Sequence, residues 1–150
     1  MSNVSPVPPG YHTVTPYLTL HDCAAAINFY KTAFEAREKF RHLRGDKIAH
    51  AEIVIGNSHL MMSDEWPEMG KLSPKSSTAT TSFMVYLPDV GAAFERAVKA
   101  GCEIERPVAN QPWGDRMGVV KDPFGYSWAL ATQVELLTDE EIRERLAAAV

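Results

Sequence analysis

The chain has 150 residues, 45% of them hydrophobic, and a formal net charge of −4 with both signs scattered along it. That is enough apolar material for one compact domain or two small fused modules. There is no basic stripe of the kind nucleic acid requires, and the longest apolar runs are far too short to cross a bilayer. The opening MSNVSPVPPG has neither a basic nor an apolar leader region, so it reads as a flexible Pro-rich arm, not a signal peptide. Cys23 and Cys102 lie in no CxxC or Cys/His cluster, which fits a reduced, cytoplasmic protein.

The first element is a strand over His12–Leu20, where Thr, Val, Tyr and Leu alternate; Pro16 places it at an edge or at an irregularity. Asp22 then caps a helix whose apolar stripe is Ala26, Ile27, Tyr30 and Phe34. Glu38–Leu43, Lys47–Ile55 and Ser58–Met62 read as three strands, the last two joined by Gly56-Asn57, a two-residue hairpin signal. Asp64 to Ala79 is rich in Pro, Ser, Gly and Lys and reads as a linker.

The order then recurs. Thr81–Leu87 is a strand, and Asp89 caps a helix with Val90, Phe94 and Val98 on one face, ended by Gly101. Cys102–Pro107, Arg116–Lys121 and Tyr126–Thr132 are three more strands, with an Asp122-Pro123-Phe124-Gly125 turn before the last. Asp22 and Asp89 are 67 residues apart, and at that offset Ala25 meets Ala92 and Ile27 meets Phe94. A repeat this long is a duplicated module, not a solenoid unit. The expected fold class is therefore α+β, built from two tandem βαβββ modules. Module 1 spans about 12–65, the linker 66–79, module 2 about 80–133, and a capped charged helix about 138–149 follows.

The stretches TPYLTLHDCAAAINFYKTAFEA, HAEIVIGNSHLMMSDE and WGDRMGVVKDPFGYSWALAT, in this order and followed by TDEEIRERLAAA, resemble the glyoxalase/bleomycin-resistance (vicinal oxygen chelate) superfamily, and its PhnB-like branch in particular. The resemblance implies a curved sheet system around a cavity, a small-molecule ligand and a homodimer. It also implies metal-ligand slots, which counting from the helix caps places at Thr15, within Leu60–Met62, at Ser82 and at Ala129. None of these is a His or a carboxylate, so no metal and no cofactor is expected. One departure from the branch is Glu35, where a glycine usually ends the first helix; a non-glycine residue is costly there if the position is left-handed.

The function implied is that of a glyoxalase/bleomycin-resistance-like protein that binds a small organic molecule in a cavity without the usual metal ligands. The candidate ligand-binding residues are Tyr17, His50, Met62, Met84, Trp113 and Arg116. The ligand would be anionic if Arg116 reaches the cavity with its two-pronged guanidinium; otherwise Arg116 braces its loop through Asp115. No catalytic residue is assigned. Two alternatives stand beside this reading. One is a metal-dependent lyase, isomerase or dioxygenase with ligands relocated to His50 and Glu52, which share a strand face. The other is a protein that sequesters a toxin or antibiotic. Cys23, at a helix N-terminus, would be reactive only if it escaped burial.

Overall fold

The computed structural model describes residues 4–148. The chain divides between Thr78 and Ala79 into two compact units, each with its own four-stranded sheet. The first unit runs β1 (Tyr17–Leu20), α1 (Cys23–Phe34), β2 (Arg37–Arg44), β3 (Lys47–Ile55) and β4 (Ser58–Asp64), with sheet order β1-β4-β3-β2. The second runs β5 (Phe83–Tyr86), α2 (Val90–Ala100), β6 (Glu103–Asn110), β7 (Asp115–Lys121) and β8 (Ser127–Gln133), with order β5-β8-β7-β6, and then α3 (Asp139–Ala148). In both units the strand before the helix pairs parallel with the last strand, and the other pairs are antiparallel. The fold is α+β with tandem βαβββ modules. Among the described residues no helix is long and apolar enough to cross a membrane.

The two helices start by the same chemistry. The Asp22 carboxylate accepts from Ala25 N at 3.0 Å and that of Asp89 from Ala92 N at 3.1 Å, each satisfying an amide that the helix leaves unpaired. Both helix starts are also tied to the end of the last strand of their sheet. Cys23 N donates to Asp64 Oδ1 at 2.8 Å, and Val90 N donates to Thr132 Oγ1 at 2.9 Å. The helix ends differ. Glu35 takes φ 56° and ψ 33°, the left-handed conformation its position demands, whereas Gly101 ends α2.

Alternation along the strands separates two faces in each sheet. In the first unit Leu18, Leu20, Ala51, Ile53 and Met62 are buried on the face covered by α1, which contributes Ala26, Ile27 and Tyr30. A register shift between His42 and Leu43 returns Ile48 to that same face. In the second unit Trp128, Leu130 and Val120 form the helix-covered face. There α2 comes so close that a Cβ on Gly118 would lie 2.6 Å from Phe94 Cε2.

Several boundaries differ from the sequence reading. The ladder of β1 begins at Tyr17, not His12; Pro16 before it offers only its carbonyl, which accepts from Met61 N at 3.0 Å. β6 extends to Asn110 through two register shifts, and these place Pro107 on a bulged edge strand where its missing N–H costs nothing. After β4, within the first unit, Pro67–Met69 forms a short 3₁₀ turn. Glu65 organises the segment after it, accepting from Ser73 N at 2.9 Å and Ser76 Oγ at 2.7 Å.

Candidate functional site

The face of the first sheet away from α1 carries a row of side chains across all four strands. Register places Tyr17 beside Met61, Met61 beside Glu52, and Glu52 beside Phe40. One step along, His50 stands opposite His42. A hydrogen-bonded chain links the polar members. The Tyr17 hydroxyl meets His50 Nδ1 at 3.0 Å, and His50 Nε2 meets Glu52 Oε1 at 3.1 Å. The tautomer that satisfies both contacts carries its proton on Nε2, so Tyr17 donates to Nδ1 and the imidazole donates to the carboxylate. Glu52 Oε2 accepts from the Tyr11 hydroxyl, and Lys39 Nζ in turn donates to the Tyr11 oxygen at 2.9 Å.

Glu52 is only 4% exposed. Burial lifts its carboxyl above the ordinary carboxylate range. Burial also pushes His50 down, and the nearby His42 and Lys71 push it further in the same direction, which favours the neutral ring. A second lysine stands on the opposite flank, with Lys71 Nζ 4.4 Å from the centroid of the Tyr17 ring. Beside this chain lies a cavity of about 420 Å³ with Thr15, Lys39, Glu52 and Met61 in its wall. Pro6, Val7 and Pro8 also line it, so the N-terminal arm, read from sequence as flexible, packs against the sheet.

Within the first unit the structure brings Tyr17 and His50 together. Met62 does not join them. Its pairing with Leu18 and Ala51 puts it on the helix-covered face at 0% exposure, and Met61 takes the open face instead. Met84 lies on the open face of the second sheet, paired with Ala129 and 47% exposed. Trp113 belongs to a different cluster, in which its Nε1 donates to Asp115 Oδ2 at 3.0 Å and the Tyr86 hydroxyl donates to the same oxygen at 2.9 Å. That pair of donors holds the loop before β7. Arg116 points the other way, because neighbours on a strand alternate, and its Nη1 donates to Asn110 Oδ1 at 3.2 Å. It neither enters an open face nor braces Asp115. Cys23 is fully buried, and burial, with Asp64 nearby, pushes its thiol up to about 12, so it carries no nucleophile chemistry.

Sequence reasoning missed Tyr11 and Lys39, and within its Leu60–Met62 slot it chose Met62 over Met61 as the ligand-binding residue. The Gly56-Asn57 hairpin contained the signal for Met61: a two-residue loop pairs Ile55 with Ser58 and so sets Met61 against Glu52. Nothing local marked Tyr11 or Lys39. Lys39 lies at a register shift in β2, between Glu38 and Phe40, which removes it from simple alternation.

The donor set does not fit a divalent metal. Thr15, Met61, Ser82 and Ala129 supply no imidazole or carboxylate, and both His50 nitrogens are already engaged by protein groups. Among the described residues no group of three or more His, Cys, Asp or Glu side chains is placed to hold an ion.

The model of the Glyoxalase/Bleomycin resistance protein/Dioxygenase superfamily matches residues 11–130. The chain belongs to this superfamily. An uncharacterized protein of Mycobacterium bovis is 37% identical to this superfamily member over 140 residues, covering 90% of this chain and 92% of its own. Among solved structures, TioX from Micromonospora sp. ML1 matches with a TM-score of 0.68 at 24% identity, over 83% of this chain and 100% of that one. A bleomycin-binding protein complexed with bleomycin matches with a TM-score of 0.60 at 20% identity, over 81% and 98%. At these identities the two structures establish the shared fold.

Proposed function

We propose that this superfamily member binds a small organic molecule on the open face of its first sheet, with Glu52 and His50 at the centre of the site. The observation that carries the reading is a carboxylate only 4% exposed beside a cavity of about 420 Å³. Burying a carboxylate costs several kcal/mol, and Glu52 caps no helix and closes no turn to recover that cost. Its partners are side chains on the cavity face. A concave apolar wall with a few convergent polar groups and shifted pKa values is the usual character of a ligand site. Met61 and Phe40 supply apolar surface on this face, and Lys39 and Lys71 supply cations at its two flanks.

A specific feature also favours acid–base chemistry on the bound molecule. Burial lowers the pKa of His50 and raises that of Glu52, so the two groups approach one another in proton affinity. Once the Tyr17 hydroxyl turns off Nδ1, a neutral imidazole oriented by a carboxylate is a competent base toward an acidic C–H. This reading needs no metal ligands at Thr15, Ser82 or Ala129. Sequestration without turnover uses the same site.

The test is a titration of the isotopically labelled protein with a library of small acids, ketones and alcohols. Binding at this site moves the amide signals of β3 and β4, and Glu52→Gln weakens it at least tenfold. Ligands whose shifts map only outside the first sheet refute the placement. Turnover of a bound compound then separates enzyme from sequesterer. The assembly inferred is a homodimer, supported by the exposed apolar side chains Val134, Leu136 and Leu146 in and before α3. Sedimentation showing only monomer at tens of micromolar overturns it.

A further inference from the structure

One residue on the Glu52 site comes from the N-terminal arm. Tyr11 follows a turn in which its own N–H bonds Pro8 O at 3.1 Å and Gly10 takes φ +86°. That turn sits against His59: a Cβ on Gly10 would lie 3.2 Å from His59 Nε2. The Tyr11 ring stacks on the His59 ring with centroids 4.1 Å apart and planes 28° from parallel. Its hydroxyl donates to Glu52 and accepts from Lys39 Nζ at 2.9 Å. Lys39 Nζ also lies 4.6 Å from the ring centroid. Beneath the stack, His59 Nδ1 is buried without a hydrogen-bond partner among the described residues.

These contacts define a socket. One wall accepts a proton, one wall donates, and the floor is a flat aromatic ring. A carboxylate would satisfy Lys39 but face the Glu52 carboxylate, and an ammonium would satisfy Glu52 but face Lys39. A hydroxyl on an aromatic ring meets both walls and the floor together. The arm that delivers Tyr11 also lays Pro6, Val7 and Pro8 along the cavity. Five residues further on, the Pro16 carbonyl accepts from Met61 N at 3.0 Å.

We propose that the site recognises a hydroxylated aromatic ring, and that Tyr11 is the chain's own occupant of the socket, displaced when such a ligand enters. The inference rests on the Glu52 face being the binding site and deepens that reading by naming the ligand class. Displacement of an internal group weakens apparent affinity by the fraction of protein in which the socket is open. Removing Tyr11 therefore tightens binding instead of abolishing it.

The experiment uses the full chain with ¹³C-labelled tyrosine rings and two probes, p-cresol and toluene. In the unaltered protein p-cresol binds saturably, and the Tyr11 ring signals move to the position of a solvent-exposed tyrosine as it saturates. In Tyr11→Ala, p-cresol binds about tenfold more tightly, as expected if the socket is closed about nine-tenths of the time. Tyr11→Phe, which keeps the stack and drops the hydroxyl, falls between the two. Toluene binds at least tenfold more weakly than p-cresol in every form. The inference is overturned if p-cresol binds only the Tyr11→Ala cavity, if it binds without moving the Tyr11 signals, or if toluene matches it. If another small molecule moves the β3 signals while p-cresol does not, the binding site stands and the aromatic-hydroxyl inference falls.

Discussion

Replacing Asp122 by Asn changes one oxygen to an NH₂ group at almost constant shape, and the surroundings make that change expensive. Asp122 is 4% exposed. Its Oδ1 accepts from Phe124 N at 2.8 Å and Tyr126 N at 3.0 Å, and its Oδ2 accepts from Trp128 Nε1 at 2.9 Å. In the Asp122→Asn variant the carbonyl oxygen of the new side chain can keep the two backbone amides, but the NH₂ then meets the indole N–H, donor against donor. Trp128 is 1% exposed, so water cannot take over. An orphaned buried donor costs about 1–3 kcal/mol. Losing the charge on the acceptor of the two amides adds about 1 kcal/mol, because charge-assisted bonds are roughly twice as strong as neutral ones. The expected loss is about 2–4 kcal/mol, a large part of a typical stability of about 5–15 kcal/mol. Flipping the amide does not help, since it orphans two backbone donors to rescue one. The assay is urea unfolding at pH 7 followed by tryptophan fluorescence, with a lowered midpoint and an unchanged slope. Asp122→Ala, which removes all these acceptors, must be worse than Asp122→Asn. A loss below about 0.5 kcal/mol for the Asn variant (the scatter of neutral surface changes), or an Ala variant more stable than the Asn one, refutes the reasoning.

Glu35→Gly relieves a left-handed residue at φ 56°, and the gain exceeds the added unfolded-state entropy by about 0.5–1 kcal/mol, read as a higher urea midpoint; an unchanged or lower midpoint counts against the strain. Gly118→Ala forces a methyl to within 2.6 Å of Phe94 Cε2 and 2.9 Å of Val108 Cγ2 and should cost about 1–3 kcal/mol in the same measurement. Burial raises Glu52 above its ordinary 4.5, so its contribution to stability is fully present below pH 4.5 and is lost as pH rises through the folded-state value. Glu52→Gln has no such titration, so its stability relative to the unaltered protein should climb with pH across that window and then level off; a difference that is flat or falls with pH sinks the assignment.

Much of the architecture is settled by chemistry local to the chain. Asp22 and Asp89, 67 residues apart in the sequence, each bond the amide three residues on, so each helix starts where its cap lies. Glu35 takes the left-handed conformation, the case in which the sequence comparison makes a non-glycine residue costly there. The two-residue hairpin at Gly56-Asn57 pairs Ile55 with Ser58 and sets the register of β3 and β4 from within the sequence. These features are legible because each depends on neighbours a few residues away.

The site depends on distances along the chain that no local rule spans. The parallel pairing of β1 with β4 joins residues 44 apart, and it decides that Tyr17 and Met61 share the open face while Leu18 and Met62 go beneath the helix. A one-residue slip in that pairing would exchange the two sets, because strand side chains alternate with period two. The same alternation sends Arg116 to Asn110 and leaves Asp115 to Trp113 and Tyr86. Tyr11 lies 41 residues from Glu52, at the end of an arm with no periodic pattern, and only the folded sheet brings its hydroxyl to that carboxylate. Composition and capping determined the elements of this protein; the non-local pairing of its strands decided which side chains meet.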